Sequence, residues 1–127
     1  MGNTPVISIV DDDESVRTAM KDMVESFGYA VVAFASGTEF LRSDRLRDSA
    51  CLIADVRMPG MNGLGLQQRL IMSGNLIPII FLTAFPDEKA RDRAIKAGAI
   101  AYLSKPPSRG ELLAHIRSAL ASGTTGV

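Results

Sequence analysis

A doubly wound α/β sandwich, a five-stranded parallel sheet with helices on both faces, is the fold class this sequence predicts. Three observations carry it. Five short runs rich in apolar and β-branched residues are each followed by a stretch with helical apolar spacing. The runs are apolar almost throughout, as strands covered by helices on both faces must be. Strict alternation of strand and helix then implies right-handed crossovers, nearly the only handedness such units adopt.

Val6-Ile7-Ser8-Ile9-Val10 is the first strand, and it ends in the acidic cluster Asp11-Asp12-Asp13-Glu14. Asp13 is placed to cap a helix from Glu14 onward, where Val16, Ala19, Met20, Met23, Val24 and Phe27 share one face and Gly28 closes the last turn. Tyr29 to Phe34 is the second strand. Ser36-Gly37-Thr38-Glu39 has the form of a capping box ahead of a short helix with Phe40 and Leu41. Arg42 to Ser49 reads as exposed connection. Cys51 to Asp55 is the third strand, an apolar run that stops in a carboxylate, and Asn62 can cap the helix holding Leu64, Leu66, Leu70 and Ile71 as far as Gly74. Ile77 to Thr83 is the fourth strand. Asp87 to Ala97 forms a charged helix with a thin apolar stripe of Ala90, Ala94, Ile95 and Ala97, ended by Gly98. Ala99 to Ser104 is the last strand, broken by Lys105-Pro106-Pro107. Ser108-x-x-Glu111 opens a final helix with Leu112, Leu113, Ile116 and Leu120 inward.

The length of 127 residues suits one domain, expected over 5–121, and the small, Gly-containing tail 122–127 reads as a linker. With 46% hydrophobic residues, 22% charged residues and no net charge, disorder and indiscriminate nucleic-acid binding both lack support. One cysteine allows neither an internal disulfide nor a cysteine-based zinc cluster, and a reduced cytoplasmic setting is expected. The most apolar window, Leu76 to Phe85, is too short to span a bilayer and contains Pro78, and Met1 to Pro5 does not resemble a signal peptide.

In open α/β sheets, ligands bind beyond the carboxyl ends of the strands where the strand order reverses. That crevice would gather Asp11, Asp12, Asp55, Thr83 and Lys105. Two carboxylates about 6 Å apart repel by roughly 3 kcal/mol at an effective dielectric near 20, so positive charge must offset them. Lys105 supplies one charge. A hard divalent cation supplies the rest, and an oxygen-only set without histidine or thiolate favours Mg²⁺ over zinc or copper. With Mg²⁺, Thr83 and Lys105 each facing one oxygen of a phosphoryl group, Asp55 could act as nucleophile and form an aspartyl phosphate.

The span from about Val6 to Leu120 resembles a response-regulator receiver domain of bacterial two-component signalling, a flavodoxin-like (βα)5 sandwich. The resemblance rests on Val10-Asp11-Asp12, Asp55 followed by Met58-Pro59-Gly60-Met61-Asn62-Gly63, Thr83-Ala84, Lys96-Ala97-Gly98-Ala99 and Lys105-Pro106. It implies that Asp55 is the phosphoryl acceptor, Asp12 a direct Mg²⁺ ligand, Asp11 an acid acting largely through water, and the Arg57 backbone carbonyl a further ligand. Thr83 and Lys105 are implied to bind the phosphoryl group, Tyr102 to turn inward with Thr83 on activation, and Lys105-Pro106 to be a cis peptide. It further implies a sensor histidine kinase as phosphodonor, and phosphorylation-linked dimerisation or output control through Asp87 to Ala97, Ala101 to Ser104 and Ser108 to Leu120. Pro107 departs from the aromatic often found after Lys-Pro. Arg57 and Phe85, two residues after Asp55 and Thr83, stand where the family's side chains line the path of the hydrolytic water. Neither can orient water as a base, so slow self-dephosphorylation is expected.

A haloacid-dehalogenase-type phosphatase would need a second acid where Arg57 stands, and a flavin binder would need a phosphate loop where acids follow Val10. The alternative that stays open is a receiver-like module signalling by protein contact without phosphorylation. The Val-Asp-Asp-x-Glu-x-Val-Arg opening and the Arg-Met-Pro after Asp55 look most like the FixJ-type branch, which usually joins a helix-turn-helix output domain. Transcription regulation is therefore expected, with DNA contacted only through an output domain that this chain lacks. His115, the one histidine, reads as a partly exposed surface residue.

Overall fold

The computed structural model describes residues 4–125. Its elements run β1 (Val6–Val10), α1 (Glu14–Ser26), β2 (Ala30–Phe34), α2 (Gly37–Arg42), α3 (Arg45–Asp48), β3 (Ser49–Asp55), α4 (Gly63–Met72), β4 (Ile79–Thr83), α5 (Glu88–Lys96), β5 (Ala101–Ser104) and α6 (Arg109–Thr125). All strand pairs are parallel and the order is β2-β1-β3-β4-β5, so the chain reverses direction across the sheet between β1 and β3. The register sets Val10 beside Ala54, Asp55 beside Leu82 and Thr83 beside Ser104, which brings the residues after β1, β3, β4 and β5 to one rim.

Successive residues of a strand face opposite sides, and β3 shows the consequence. Cys51 and Ile53 join Met20 and Val24 of α1 and Leu112, Ile116 and Ala119 of α6 in one core layer. Leu52 and Ala54 join Phe40, Leu66, Leu70 and Phe81 in the other. Burial pushes the Cys51 thiol up to about 12, so it stays protonated and serves as a core side chain. Among the described residues no helix is long and apolar enough to cross a membrane.

The expected caps are in place. Asp13 accepts the Ser15 and Val16 N–H groups, Ser36 that of Glu39, Asn62 that of Gly65 and Ser108 that of Glu111; Asp87, read from the sequence as the first residue of its helix, instead caps it by accepting the Ala90 N–H. Helices α1, α4 and α5 end at Gly28, Gly74 and Gly98, all with positive φ. The thin stripe of α5 leaves Ala94 as its one buried residue.

Strands β2, β4 and β5 begin one or two residues later than the sequence reading placed them, at Ala30, Ile79 and Ala101, and two further stretches differ more. The connection Arg42 to Ser49 contains the single-turn α3, and β3 begins at Ser49. Local polar bonds, invisible to apolar periodicity, build this turn: Arg45 pairs with Asp48 at 3.1 Å, and the Ser49 hydroxyl donates to the Arg45 carbonyl and meets the buried Ser8 hydroxyl. At the other end, α6 runs past Leu120 through Ser122 to Thr125, residues of the tail read as linker-like; no proline stands there to stop a helix. Gly126 and Val127 of that tail lie outside the described residues.

Candidate functional site

The rim formed by β1, β3, β4 and β5 gathers the five chemistry-bearing residues read from the sequence. Asp11 and Asp55 are buried, Asp12 is exposed, and one carboxylate oxygen from each lies within 4.8 Å of the others. Lys105 Nζ bridges the two buried acids, 2.7 Å from Asp11 Oδ2 and 3.0 Å from Asp55 Oδ2. Burial alone would lower the lysine's pKa. The hydrogen bonds and charges of Asp11 and Asp55 outweigh it and hold Lys105 above the ordinary lysine value, so the ammonium stays charged.

The remaining oxygens are tied to backbone. Asp11 Oδ1 accepts the Asp13 N–H at 2.9 Å, and Asp55 Oδ1 accepts the Arg57 N–H at 3.1 Å. Arg17, on the first turn of α1, donates to the Asp11 carbonyl. These bonds fix where the Asp11 and Asp55 carboxylates point, as a binding site on a rigid sheet edge requires.

Thr83 is fully buried, and its hydroxyl oxygen accepts the Phe85 N–H at 3.1 Å. The Thr83 carbonyl in turn accepts the Lys105 N–H, and Lys105-Pro106 is cis, as the resemblance implied. Tyr102 is half-buried, its ring 6.5 Å from that of Phe81, and its hydroxyl accepts the Asp87 N–H at the start of α5. The Arg57 guanidinium carbon lies 5.4 Å from the centroid of Phe85, itself 66% exposed. The pair edges a cavity of about 600 Å³ that also touches Met58, Asn62, Asp87 and Tyr102. His115 is half-buried on α6.

Sequence reading quoted Gly63 within a motif but missed its part in holding the site together. Gly63 has negative φ, so its conformation does not require glycine; space does. A Cβ there would stand 2.4 Å from the Asp55 carbonyl oxygen and 2.9 Å from the Phe81 ring. The Gly63 N–H donates to the Val56 carbonyl, and α4 therefore starts in contact with the backbone of β3. Gly60, by contrast, has φ +74° and nothing near its Cβ position, and is needed for conformation. Spacing cannot tell these two glycines apart.

Three carboxylates face one ammonium, which leaves the formal charge of the set at two negatives. The donors are all oxygen and all carboxylate, the set that hard divalent cations prefer and softer metals do not. The residues therefore fit Mg²⁺.

Comparison with known proteins agrees with this geometry. The family model described as "Response regulator receiver domain" matches residues 7–117. The chain is 46% identical over 115 residues to the response regulator protein TmoT of Ectopseudomonas mendocina, covering 91% of this chain and 52% of that protein. It is 34% identical over 114 residues to the transcriptional regulatory protein FixJ of Azorhizobium caulinodans, covering 90% and 54%. Among solved structures, the response regulator StyR superposes with a TM-score of 0.89 at 39% identity, over 97% of this chain and 62% of that one. The chain thus spans about half the length of the curated relatives it matches.

Proposed function

The chain belongs to the response-regulator receiver family, and from that premise we propose that it accepts a phosphoryl group on Asp55 from a sensor histidine kinase or a small acyl phosphate. The observation that carries the reading is Lys105 Nζ bridging Asp11 and Asp55 at the reversal point of the sheet. Asp11, Asp12, Asp55 and the Arg57 backbone carbonyl would hold Mg²⁺, which when bound neutralises phosphoryl charge. The step forms a bond between an Asp55 carboxylate oxygen and phosphorus while the bond from phosphorus to the donor breaks. Lys105 moves from the carboxylates to a phosphoryl oxygen. Thr83 already receives the Phe85 N–H on its oxygen, so its proton is free to donate to another.

In this reading the chain is a phosphoacceptor regulatory domain of the cytoplasm that speeds its own phosphotransfer and dephosphorylation, rather than an enzyme acting on others. Phosphorylation draws Thr83 and Tyr102 together and alters the α5–β5–α6 surface for dimerisation or output control. FixJ is named a transcriptional regulatory protein, and an output of that kind would be carried by the half of such relatives that this chain does not match. Arg57 over Phe85 screens the acceptor from water and slows loss of the phosphoryl group.

Intact-mass spectrometry after incubation with acetyl phosphate and Mg²⁺ tests the assignment. One phosphoryl adduct is expected on the wild type and none on Asp55→Asn or in excess chelator. The same adduct on Asp55→Asn refutes it.

A further inference from the structure

Of the five large apolar side chains that stand exposed among the described residues, Ile71 and Met72 are on α4, Leu76 follows it and Ile95 is on α5, with Met72 and Leu76 both 81% exposed; Ile71 and Leu76 line one hollow. Single exposed apolar residues need no explanation, but a cluster beside a cavity marks a binding surface. A hollow of about 130 Å³ is lined by Ile71, Leu76 and Ile77 together with Gln67 and Ala97. A second hollow, of about 300 Å³, shares Gln67 and Ala97 with the first and is edged by Arg93 and Lys96. Together they form one groove, apolar at one end and cationic at the other.

The charge of the groove is one-sided. No carboxylate lines either hollow, and Arg93 and Lys96 form no ion pair among the described residues. Asp92 lines a neighbouring hollow, together with Arg91, Ile95 and Lys96. The walls are preformed. Gln67, 3% exposed, donates from Nε2 to the Ala94 carbonyl, which also accepts the Ala99 N–H, and the Gln67 hydrogen bond ties the last turn of α5 to α4.

We propose that this groove docks an acidic, apolar-tipped peptide segment of a partner protein, with one large apolar side chain in the hollow under Ile71 and Leu76 and carboxylates on Arg93 and Lys96. A second copy of the chain fits poorly, because a two-fold contact sets the same patch against itself and would oppose cation to cation. Two cations beside an apolar hollow are too few for a nucleic-acid surface. The proposal does not depend on phosphorylation of Asp55, and the groove lies apart from the residues of the acceptor site.

Selection of a random displayed peptide library on the purified wild-type chain, followed by fluorescence anisotropy and amide NMR shifts with the selected peptides, tests it. Enriched peptides should combine Asp or Glu with one large apolar residue and shift the amides of Gln67, Ala97 and Gly98. Their affinity should fall by about tenfold or more in Leu76→Ser and in the pair Arg93→Glu with Lys96→Glu, a change of roughly 1.4 kcal/mol in binding free energy. All three substitutions lie on exposed side chains, and unchanged circular dichroism would show the variants folded. Enrichment of peptides without acids, undiminished binding by folded variants, failure to enrich any peptide, or self-association abolished by Leu76→Ser would each overturn the proposal.

Discussion

Gly63→Ala is the substitution that most directly tests how the acceptor strand is held. The added methyl would sit 2.4 Å from the Asp55 carbonyl oxygen, and side-chain Cβ atoms essentially never come within 3.0 Å of a neighbour. Backbone, not a flexible side-chain tip, must therefore move. The Phe81 ring blocks the other escape at 2.9 Å. Overpacking of this kind costs about 1–3 kcal/mol. The usual gain of up to about 1 kcal/mol from replacing glycine by alanine in a helix offsets only part of that. Gly65→Ala is the control: its methyl would meet Asn62 and Met61 at 3.4 and 3.5 Å, close to ordinary contact, and should be neutral or slightly stabilising. In urea titrations Gly63→Ala should lower the midpoint by about 0.5 M, taking a net loss near 1 kcal/mol and a slope of about 2 kcal/mol per M. The same variant should take up phosphoryl more slowly, because the displaced backbone carries Asp55. A Gly63→Ala midpoint equal to that of Gly65→Ala would show that α4 does not press on β3 as described.

The other predictions concern charge, the α5 contact and water access. Lys105→Met leaves acids within 4.8 Å of one another with no ammonium between them, a repulsion of roughly 3 kcal/mol per pair at an effective dielectric near 20. Its melting temperature should fall and should rise further on Mg²⁺ addition than that of the wild type; equal Mg²⁺ responses would contradict the charge argument. Tyr102→Phe removes the acceptor of the Asp87 N–H and should cost about 0.5–1.5 kcal/mol or less, with faster hydrogen exchange confined to the first turn of α5. Unchanged exchange at Asp87 and Ala90 would remove that contact from the account. Phe85→Gln and Arg57→Asn should each release phosphate faster from the phosphorylated chain, by about tenfold for each 1.4 kcal/mol of barrier removed. Decay at the wild-type rate in both would mean that the pair does not screen the acceptor.

The acids, Thr83 and Lys105 were legible because each closes an apolar run, and the end of a buried strand is where a parallel sheet places its ligands. The strands and caps were legible for the same local reason: apolar runs stop at turn formers, and Asp13, Ser36, Asn62 and Ser108 each sit ahead of a helix. What escaped depends on contacts between residues far apart in the chain. The turn at Arg45 to Asp48 leads into Ser49, whose hydroxyl meets that of Ser8, 41 residues away. The need for glycine at position 63 comes from Phe81 and the Asp55 backbone, which spacing does not encode. Phe85 was read as lining the path of the hydrolytic water, and the structure adds a partner which that reading did not contain: the Arg57 guanidinium.

The way α5 is held explains how a small change at Asp55 could reach a distant surface. Its C-terminal end is fixed by the Gln67 and Ala99 donors on the Ala94 carbonyl and by the burial of Ala94. Its N-terminal end has the Tyr102 hydroxyl bond at 3.2 Å, at an exposed position. Regions with few buried contacts and exposed hydrogen bonds open at low free-energy cost. Displacement of α5 should therefore be a swing about its C-terminal turn, with the Asp87 end moving most. Tyr102 lies on β5, beside the β4 strand that ends in Thr83, and Thr83 is joined through the Phe85 backbone and the Arg57 stack to the loop that follows Asp55. A phosphoryl group that drew the Thr83 hydroxyl would pull on the Phe85 N–H it now receives, and would act on the loosely held end of the helix rather than the pinned one. The groove at the pinned end would keep its shape through that motion, so binding there and phosphorylation at Asp55 should be nearly independent.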